Sequence, residues 1–277
     1  MVLLLLNATQ STPLGREVAL TPSEKSIVLT FDDGPRPWIL PEILDFLKQE
    51  KIQGTFFVQG WQVEKYPELT RRVMREGHEV ANHTYGHTSI PEFIKKKGKQ
   101  WVLDDIERGA SVIEKVTGRR PFFFRPRSWL IDEYNKMPIS CDEFFKEHTR
   151  ITDKGPRVIL PDNRIYKEEL MCPYGRGKYI IQVLDDSKLS AEHRRVRDVN
   201  SVDYEFHERY QKDRTGTTVA LVENVKRAIA RREKDGVSQH VLTFHELPVS
   251  LAALKILVPY WRSQGYQFIS LRKAYGL

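Results

Sequence analysis

Cysteine is scarce, with only Cys141 and Cys172 in 277 residues. That excludes a disulfide-stapled scaffold and a four-cysteine zinc site. Long apolar runs are missing as well, and none approaches the roughly 18–20 residues a membrane-crossing helix needs. The opening run of residues 1–6 is apolar, but no basic segment precedes it and Asn7 ends it, so it is at most the remnant of a signal peptide. Internal repeats and low-complexity linkers are absent. Acidic side chains are outnumbered by basic ones, 37 to 44, giving a net charge of +7. Such a balance suits anionic partners (cell-wall polymer, membrane surface, nucleic acid) without choosing among them. The 40% of hydrophobic and 29% of charged residues suit a folded globular chain rather than a disordered one.

What is present has a regular rhythm. Short apolar runs predict strands over 26–31, 55–58, 79–81, 121–124, 179–184, 240–244 and 267–271. Between them, apolar residues at helical spacing predict helices through Leu40–Leu47, from about Pro67 to Gly77, through Val102–Ile113 to Gly118, and through Val222–Ile229 to Gly236. A further helix reaches Gly265, kinked or started late by Pro259. Strands that are apolar on both faces and alternate with helices predict a parallel sheet covered on both sides, an α/β barrel or doubly wound sheet. We expect a leading arm over 1–25 and one domain over 26–277. The stretch of about 132–188 breaks the rhythm and reads as an insertion. It carries both cysteines, which pair if the protein is exported and are otherwise two reduced thiols.

The chemically capable residues share one position, just after an apolar strand. Asp32 and Asp33 follow the first, His83 and His87 the third, Arg125 the fourth and His245 a late one. In parallel α/β folds sites lie at the carboxyl ends of strands, so these residues could converge on one mouth. Taken singly each has a plainer reading. His83 and His87 are four apart, on one face if the segment is helical, and could equally be two surface histidines. Two imidazoles and a carboxylate are nevertheless a common catalytic zinc set. Asp-Gly after a strand is usually a turn, yet adjacent carboxylates can divide labour, one binding a cation and the other acting as a base. His245 alone reads as a hydrogen-bonded core histidine, whereas Arg125 at a buried strand end requires a carboxylate partner.

In combination the motifs say more. Thr30-Phe-Asp-Asp-Gly34, then His83-Thr-Tyr-Gly-His87, then Phe124-Arg-Pro126, then a strand ending in His245, resemble the polysaccharide deacetylase family, carbohydrate esterases with a NodB homology domain. The resemblance runs from about Ser26 to Leu271. It implies a distorted (β/α) barrel with fewer than eight strands. It also implies metal-dependent hydrolysis of N-acetyl groups from a glycan such as peptidoglycan or a related N-acetylglucosamine polymer. By the same resemblance Asp33, His83 and His87 are the metal ligands and Asp32 is the general base. Arg125 holds Asp32, His245 is the acid that protonates the leaving amine, and Asp203 orients His245. Zinc is the expected metal, with cobalt or nickel as substitutes. An acetylated polysaccharide is the expected partner, and an extracytoplasmic location follows from that substrate.

Departures from the family pattern keep alternatives in view. Arg127 and Ser128 stand where the third motif has proline and an aromatic residue, in the segment that helps hold the oxyanion. Asn200-Ser-Val-Asp-Tyr204 replaces Asp-Ser-x-Asp-Trp, and Thr243 replaces the leucine of the acetyl pocket. A different acyl group, a smaller amide, or a glycan-binding protein without turnover are the alternatives. Lys95–Lys97, Arg194-Arg195 and Arg231-Arg232 raise nucleic-acid binding, but no nucleic-acid motif accompanies them. The insertion at about 132–188 follows the Arg125 loop, and we expect it to overhang the mouth.

Overall fold

The computed structural model describes residues 25–88, 96–125, 127, 149–152, 155–159, 165–167, 196–234 and 236–274. Most of the leading arm, most of the insertion, both cysteines, Ser128 and the strand expected over 179–184 lie outside the described residues.

The organising element is β1 (Ser26–Gly34), buried along its whole length. On one side it pairs in parallel with β8 (Gln239–His245); on the other it pairs first with β9 (Gln267–Phe268) and then, from Leu29, with β2 (Gly54–Val58). Strands β3 (Glu79–Asn82) and β7 (Val196–Asn200) extend the sheet in the order β3-β2-β1-β8-β7, all parallel. The expected strand over 121–124 is reduced to one parallel bridge between Asn82 and Phe124. The run over 267–271 shrinks to β9, because Leu271 already starts α8 (Leu271–Ala274).

Helices cover one face. These are α1 (Leu40–Gln49), α2 (Gly60–Lys65), α3 (Pro67–Arg75), α4 (Lys99–Thr117), α5 (Asp203–Tyr210), α6 (Arg214–Lys234) and α7 (Pro248–Ser263). The segment from Pro67 is thus preceded by an extra turn of helix, and Pro259 sits inside α7 rather than starting it. Within the stretch expected to be an insertion, β4 (Thr149–Thr152), β5 (Gly155–Ile159) and β6 (Ile165–Lys167) form a separate antiparallel sheet that the sequence patterns did not suggest. Strand β7 was also unanticipated, since Val196-Arg-Asp-Val-Asn200 mixes charge with only two apolar residues.

Alternation along β1 and β8 sorts the core. Ile27, Leu29, Phe31, Leu242 and Phe244 pack beneath the helices. Val28 and Val241 face the other way, into a smaller cluster with Phe57, Ala81 and Phe123. Continuing upward on that inner face by twos, Val28 leads to Thr30 and Asp32, and Val241 leads to Thr243 and His245. The inner face therefore grades from apolar to ionisable toward the carboxyl ends of the strands.

One core residue sets a pH response. His240 is fully buried on β8, and neither ring nitrogen has a hydrogen-bond partner among the described residues. Burial lowers its pKa to about 4, with nearby Glu233 raising it and Arg232 and Lys25 lowering it, while the Tyr266 ring lies 6.0 Å away. The folded state thus holds a neutral imidazole whose pKa lies below the unfolded value of about 6.5. Its contribution is intact above pH ~6.5 and is lost as pH falls toward ~4, by on the order of 3 kcal/mol. His240→Leu should flatten the fall in melting temperature across that window; an unchanged slope would refute this assignment.

Candidate active site

At the carboxyl end of β1 the two adjacent carboxylates are separated in direction by an irregularity in the strand. Asp32 pairs with Phe57 and Gly34 with Val58, so Asp33 is an extra residue, with φ 70°. In a regular strand the two side chains would point to opposite faces. The bulge turns Asp33 back toward the mouth, so that both serve one site. Gly34 is required for packing. A Cβ there would lie 1.8 Å from Glu246 Oε1, a carboxylate that is fully buried and accepts the Arg36 backbone N–H at 2.6 Å. Burial pushes the Glu246 carboxyl up to about 8, against the lowering effect of that hydrogen bond.

Asp32 is fully buried and in register with His245 across β1 and β8. Its Oδ1 accepts from Arg125 Nη1, whose other arm donates to Thr30 Oγ1 at 3.0 Å. The Arg125 guanidinium lies 3.8 Å over the Phe57 ring. Asp32 Oδ2 accepts no hydrogen bond among the described residues. One oxygen is tied down and the other is left for chemistry.

His83 and His87 come not from a helix, as their spacing allowed, but from the irregular loop after β3. Thr84 and His87 there have φ of 65° and 58°. Helix α4 shapes this loop. Asp105 accepts from Gly86 N at 3.2 Å and from Thr88 Oγ1 at 2.6 Å, and Gly109 lets the helix approach so closely that a Cβ would sit 2.8 Å from the Thr84 carbonyl carbon. His83 Nδ1 donates to the Arg125 carbonyl at 2.6 Å, which leaves Nε2 as a lone-pair donor 3.3 Å from Asp33 Oδ1. His87 Nε2 lies 2.8 Å from the same oxygen. Burial raises the Asp33 carboxyl, but the two imidazoles outweigh it and hold it well below the usual carboxylate range. Burial lowers His87 more than Asp33 raises it, and the Arg127 charge adds to the lowering.

The donor atoms of Asp33, His83 and His87 all lie within 4.8 Å of one another. Two imidazole nitrogens and a carboxylate oxygen, with one imidazole oriented from behind by a carbonyl, fit a divalent cation at bond lengths of about 2.0–2.2 Å. On the far side of the mouth, His245 Nδ1 meets Asp203 Oδ1 at 2.7 Å. Asp203 Oδ2 accepts from the His245 backbone N–H at 2.7 Å and from the Ser250 hydroxyl. Burial opposes a charged His245, but Asp203, with Asp32 and Asp33 adding their charges, pushes it up to about 9. Its Nε2 stands 4.0 Å from Asp33 Oδ2. The Tyr204 ring packs edge-on against it, 5.4 Å between centroids.

All seven sequence-derived site residues therefore gather at one mouth. Sequence reasoning missed Gln59, Gln62 and Arg36, which donate to Asp33 Oδ1 at 2.9 Å, to its backbone carbonyl at 2.6 Å and to its Oδ2 at 3.2 Å. Gln59 directly follows β2, the same strand-end position that flagged the others. Asp105 carried a fainter signal, an acid buried beside the apolar stripe of Val102 and Ile106.

A family model described as polysaccharide deacetylase matches residues 19–135. A chitooligosaccharide deacetylase from Rhizobium leguminosarum bv. trifolii is 49% identical over 185 residues, covering 61% of this chain and 82% of the relative. The chain belongs to the polysaccharide deacetylase family. The peptidoglycan-N-acetylmuramic acid deacetylase PdaC of Bacillus subtilis (strain 168) is 42% identical over 113 residues, 41% of this chain and 23% of that protein. The first curated relatives are matched over only part of their length, and this chain spans 23% to 50% of them. The crystal structure of the Bc1960 peptidoglycan N-acetylglucosamine deacetylase superposes with a TM-score of 0.58 at 21% identity, covering 92% of this chain and 89% of that one. The two share the α/β deacetylase fold, with its partial barrel. In this family member no helix among the described residues is long and apolar enough to cross a membrane.

Proposed function

We propose that this protein is a metal-dependent deacetylase that hydrolyses N-acetyl groups on an N-acetylglucosamine-containing glycan, peptidoglycan or a related polymer, releasing acetate and a free amine. The observation that carries the reading is the placement of Asp32 and His245, register partners on β1 and β8, beside the Asp33–His83–His87 triad. A divalent metal held by that triad, zinc by its donor set, supplies polarisation of the amide carbonyl and a water of lowered pKa. Asp32 takes the proton of the attacking water on Oδ2, while Arg125 keeps Oδ1 engaged and the carboxylate aimed. His245 Nε2–H delivers a proton to the amide nitrogen as the C–N bond breaks, since an unprotonated amine is a poor leaving group. Asp203 positions that imidazole and favours its charged form.

The same reading treats residues 26–277 as one catalytic unit and places its work outside the cytoplasm, where such polymers lie. Thr243 favours a second reading, hydrolysis of a different N-acyl group, because it sits fully buried on the inner face next below His245.

Acetate release from N-acetylglucosamine oligomers and peptidoglycan by zinc-loaded protein tests the proposal, and a panel of longer N-acyl groups decides between the readings. Absence of acetate with metal bound would refute the first. Asp203→Asn should lower kcat about a hundredfold with KM little changed, because an amide can turn its NH2 toward Nδ1 and no longer favours the imidazolium. An unaltered kcat would remove Asp203 from the mechanism.

A further inference from the structure

Glu246 is a buried carboxyl that the proposed mechanism does not use. It directly follows His245 at the end of β8 and is fully buried. Its side chain has one hydrogen bond among the described residues, accepted by Oε2 from the Arg36 backbone N–H at 2.6 Å, and Oε1 has none. Taking a carboxyl out of water with so few partners costs free energy. What it holds in place is the turn that follows β1.

The turn over residues 33–36 closes on this side chain. Glu246 fills the space over Gly34, where a Cβ would meet its Oε1 at 1.8 Å, and its backbone N–H donates to the Asp32 carbonyl at 3.4 Å. Arg36 is anchored at both ends of its backbone. Glu246 takes its N–H, and its carbonyl accepts from Ile39 N at 3.2 Å and Leu40 N at 2.9 Å as α1 begins. From that fixed point the guanidinium reaches back, Nη2 donating to Asp33 Oδ2 at 3.2 Å and Nε to the Asp33 carbonyl at 3.4 Å. The other oxygen, Oδ1, accepts from Gln59 Nε2 at 2.9 Å and faces His83 and His87. The two oxygens of Asp33 thus have different tethers. The one on Oδ2 matters because His245 Nε2 stands only 4.0 Å from it. Without Arg36 in place, Oδ2 is free to swing onto that imidazole, which would draw Asp33 off the triad and engage the acid.

We infer that Glu246 is a positioning residue for Asp33: it fixes Arg36, and Arg36 keeps Oδ2 off His245 while Oδ1 faces the two imidazoles. Its action runs through the turn and not through substrate. Outer partners that orient a ligand contribute to metal affinity nearly as the ligands do. The inference rests on the metal-site reading above.

Zinc affinity, measured by competition with a chromophoric chelator well below each melting temperature, tests it in four variants. Glu246→Ala leaves the Arg36 N–H without its acceptor and should weaken zinc binding roughly 10–100-fold, the scale for losing an outer partner of a ligand. Glu246→Gln keeps the length and an acceptor, and should retain most of the affinity. Gly34→Ala displaces the carboxyl from the other side and should also weaken zinc binding. In the Gly34→Ala/Glu246→Ala double variant the second change should add little, because the atoms the new Cβ meets are gone. Cobalt-loaded Glu246→Ala should show shifted visible absorption bands, which a loss of stability alone does not produce. Unchanged zinc affinity in either Glu246→Ala or Gly34→Ala would overturn the inference, so a folding failure of one leaves the other to decide. An equal loss in Glu246→Gln would overturn it too, since the acceptor would then not be what matters. Failure of the metal-site reading looks different: wild type would bind zinc no better than His83→Ala.

Discussion

Replacing Asp32 by asparagine should cut acetate release by about a thousandfold, within the range seen for removing a general base. The substitution keeps the shape of the side chain and an acceptor for Arg125, but removes the free carboxylate oxygen that the described residues leave without a partner. It should also destabilise the fold. Arg125 is fully buried, and with Asp32 neutralised its charge loses the carboxylate it is paired with. Breaking a buried pair from one side costs about 3–5 kcal/mol, and the retained hydrogen bond places this case near the lower end. Activity measured well below the new melting temperature, with zinc content determined on the same sample, separates the two effects. Turnover within about tenfold of wild type would remove Asp32 as the base.

The second large effect is expected at the triad. His83→Ala deletes one of three donors and also the bond to the Arg125 carbonyl that sets the imidazole's orientation. Loss of an outer partner alone costs about 10–100-fold in metal affinity, so loss of the ligand itself should exceed 100-fold. Acetate release should fall to background both in this variant and in wild type dialysed against a chelator. Only the dialysed wild type should recover when zinc is restored. Metal removal should also lower the melting temperature, since a ligand present at a hundred times its Kd stabilises the folded state by about 2.7 kcal/mol. Full activity in the chelated protein would exclude a metal role for Asp33, His83 and His87.

These two experiments probe residues whose legibility in the sequence differed in kind. Asp32, Asp33, His83, His87, Arg125 and His245 were visible because each follows an apolar run, and parallel strands deliver their carboxyl ends to a common mouth. The helices over Leu40–Gln49 and Lys99–Thr117 were equally visible, from a clear apolar stripe and, for the latter, Gly118 in the left-handed region at its end. Strand β7 was not, because a strand of mixed charge has no periodic signal. The loop conformation of the His83 segment was not legible either. Spacing by four is compatible with a helix and with this loop, and what decides is Asp105 and Gly109 on a helix some twenty residues later.

Most of the alternation of strands and helices, the parallel sheet and the set of ionisable residues at strand ends followed from the sequence by itself, because burial on both faces and helical amphipathicity are local patterns. Three things were decided by tertiary structure alone. The bulge at Asp33 lets two consecutive carboxylates face one site, and it depends on the pairing of β1 with β2. Gly34 is demanded by Glu246, more than 200 residues away in the chain, because its carboxylate occupies the space a side chain would need. The different surroundings of Asp32, Asp33 and His245, on which their proposed roles as base, ligand and acid rest, come from partners brought in by other elements: Arg125 for Asp32, two imidazoles for Asp33, and Asp203 with Ser250 for His245. A carboxylate or an imidazole has the same chemistry wherever it stands in the chain. Its role is set by which charges and hydrogen bonds the fold places within a few ångströms of it, where burial makes those interactions strong.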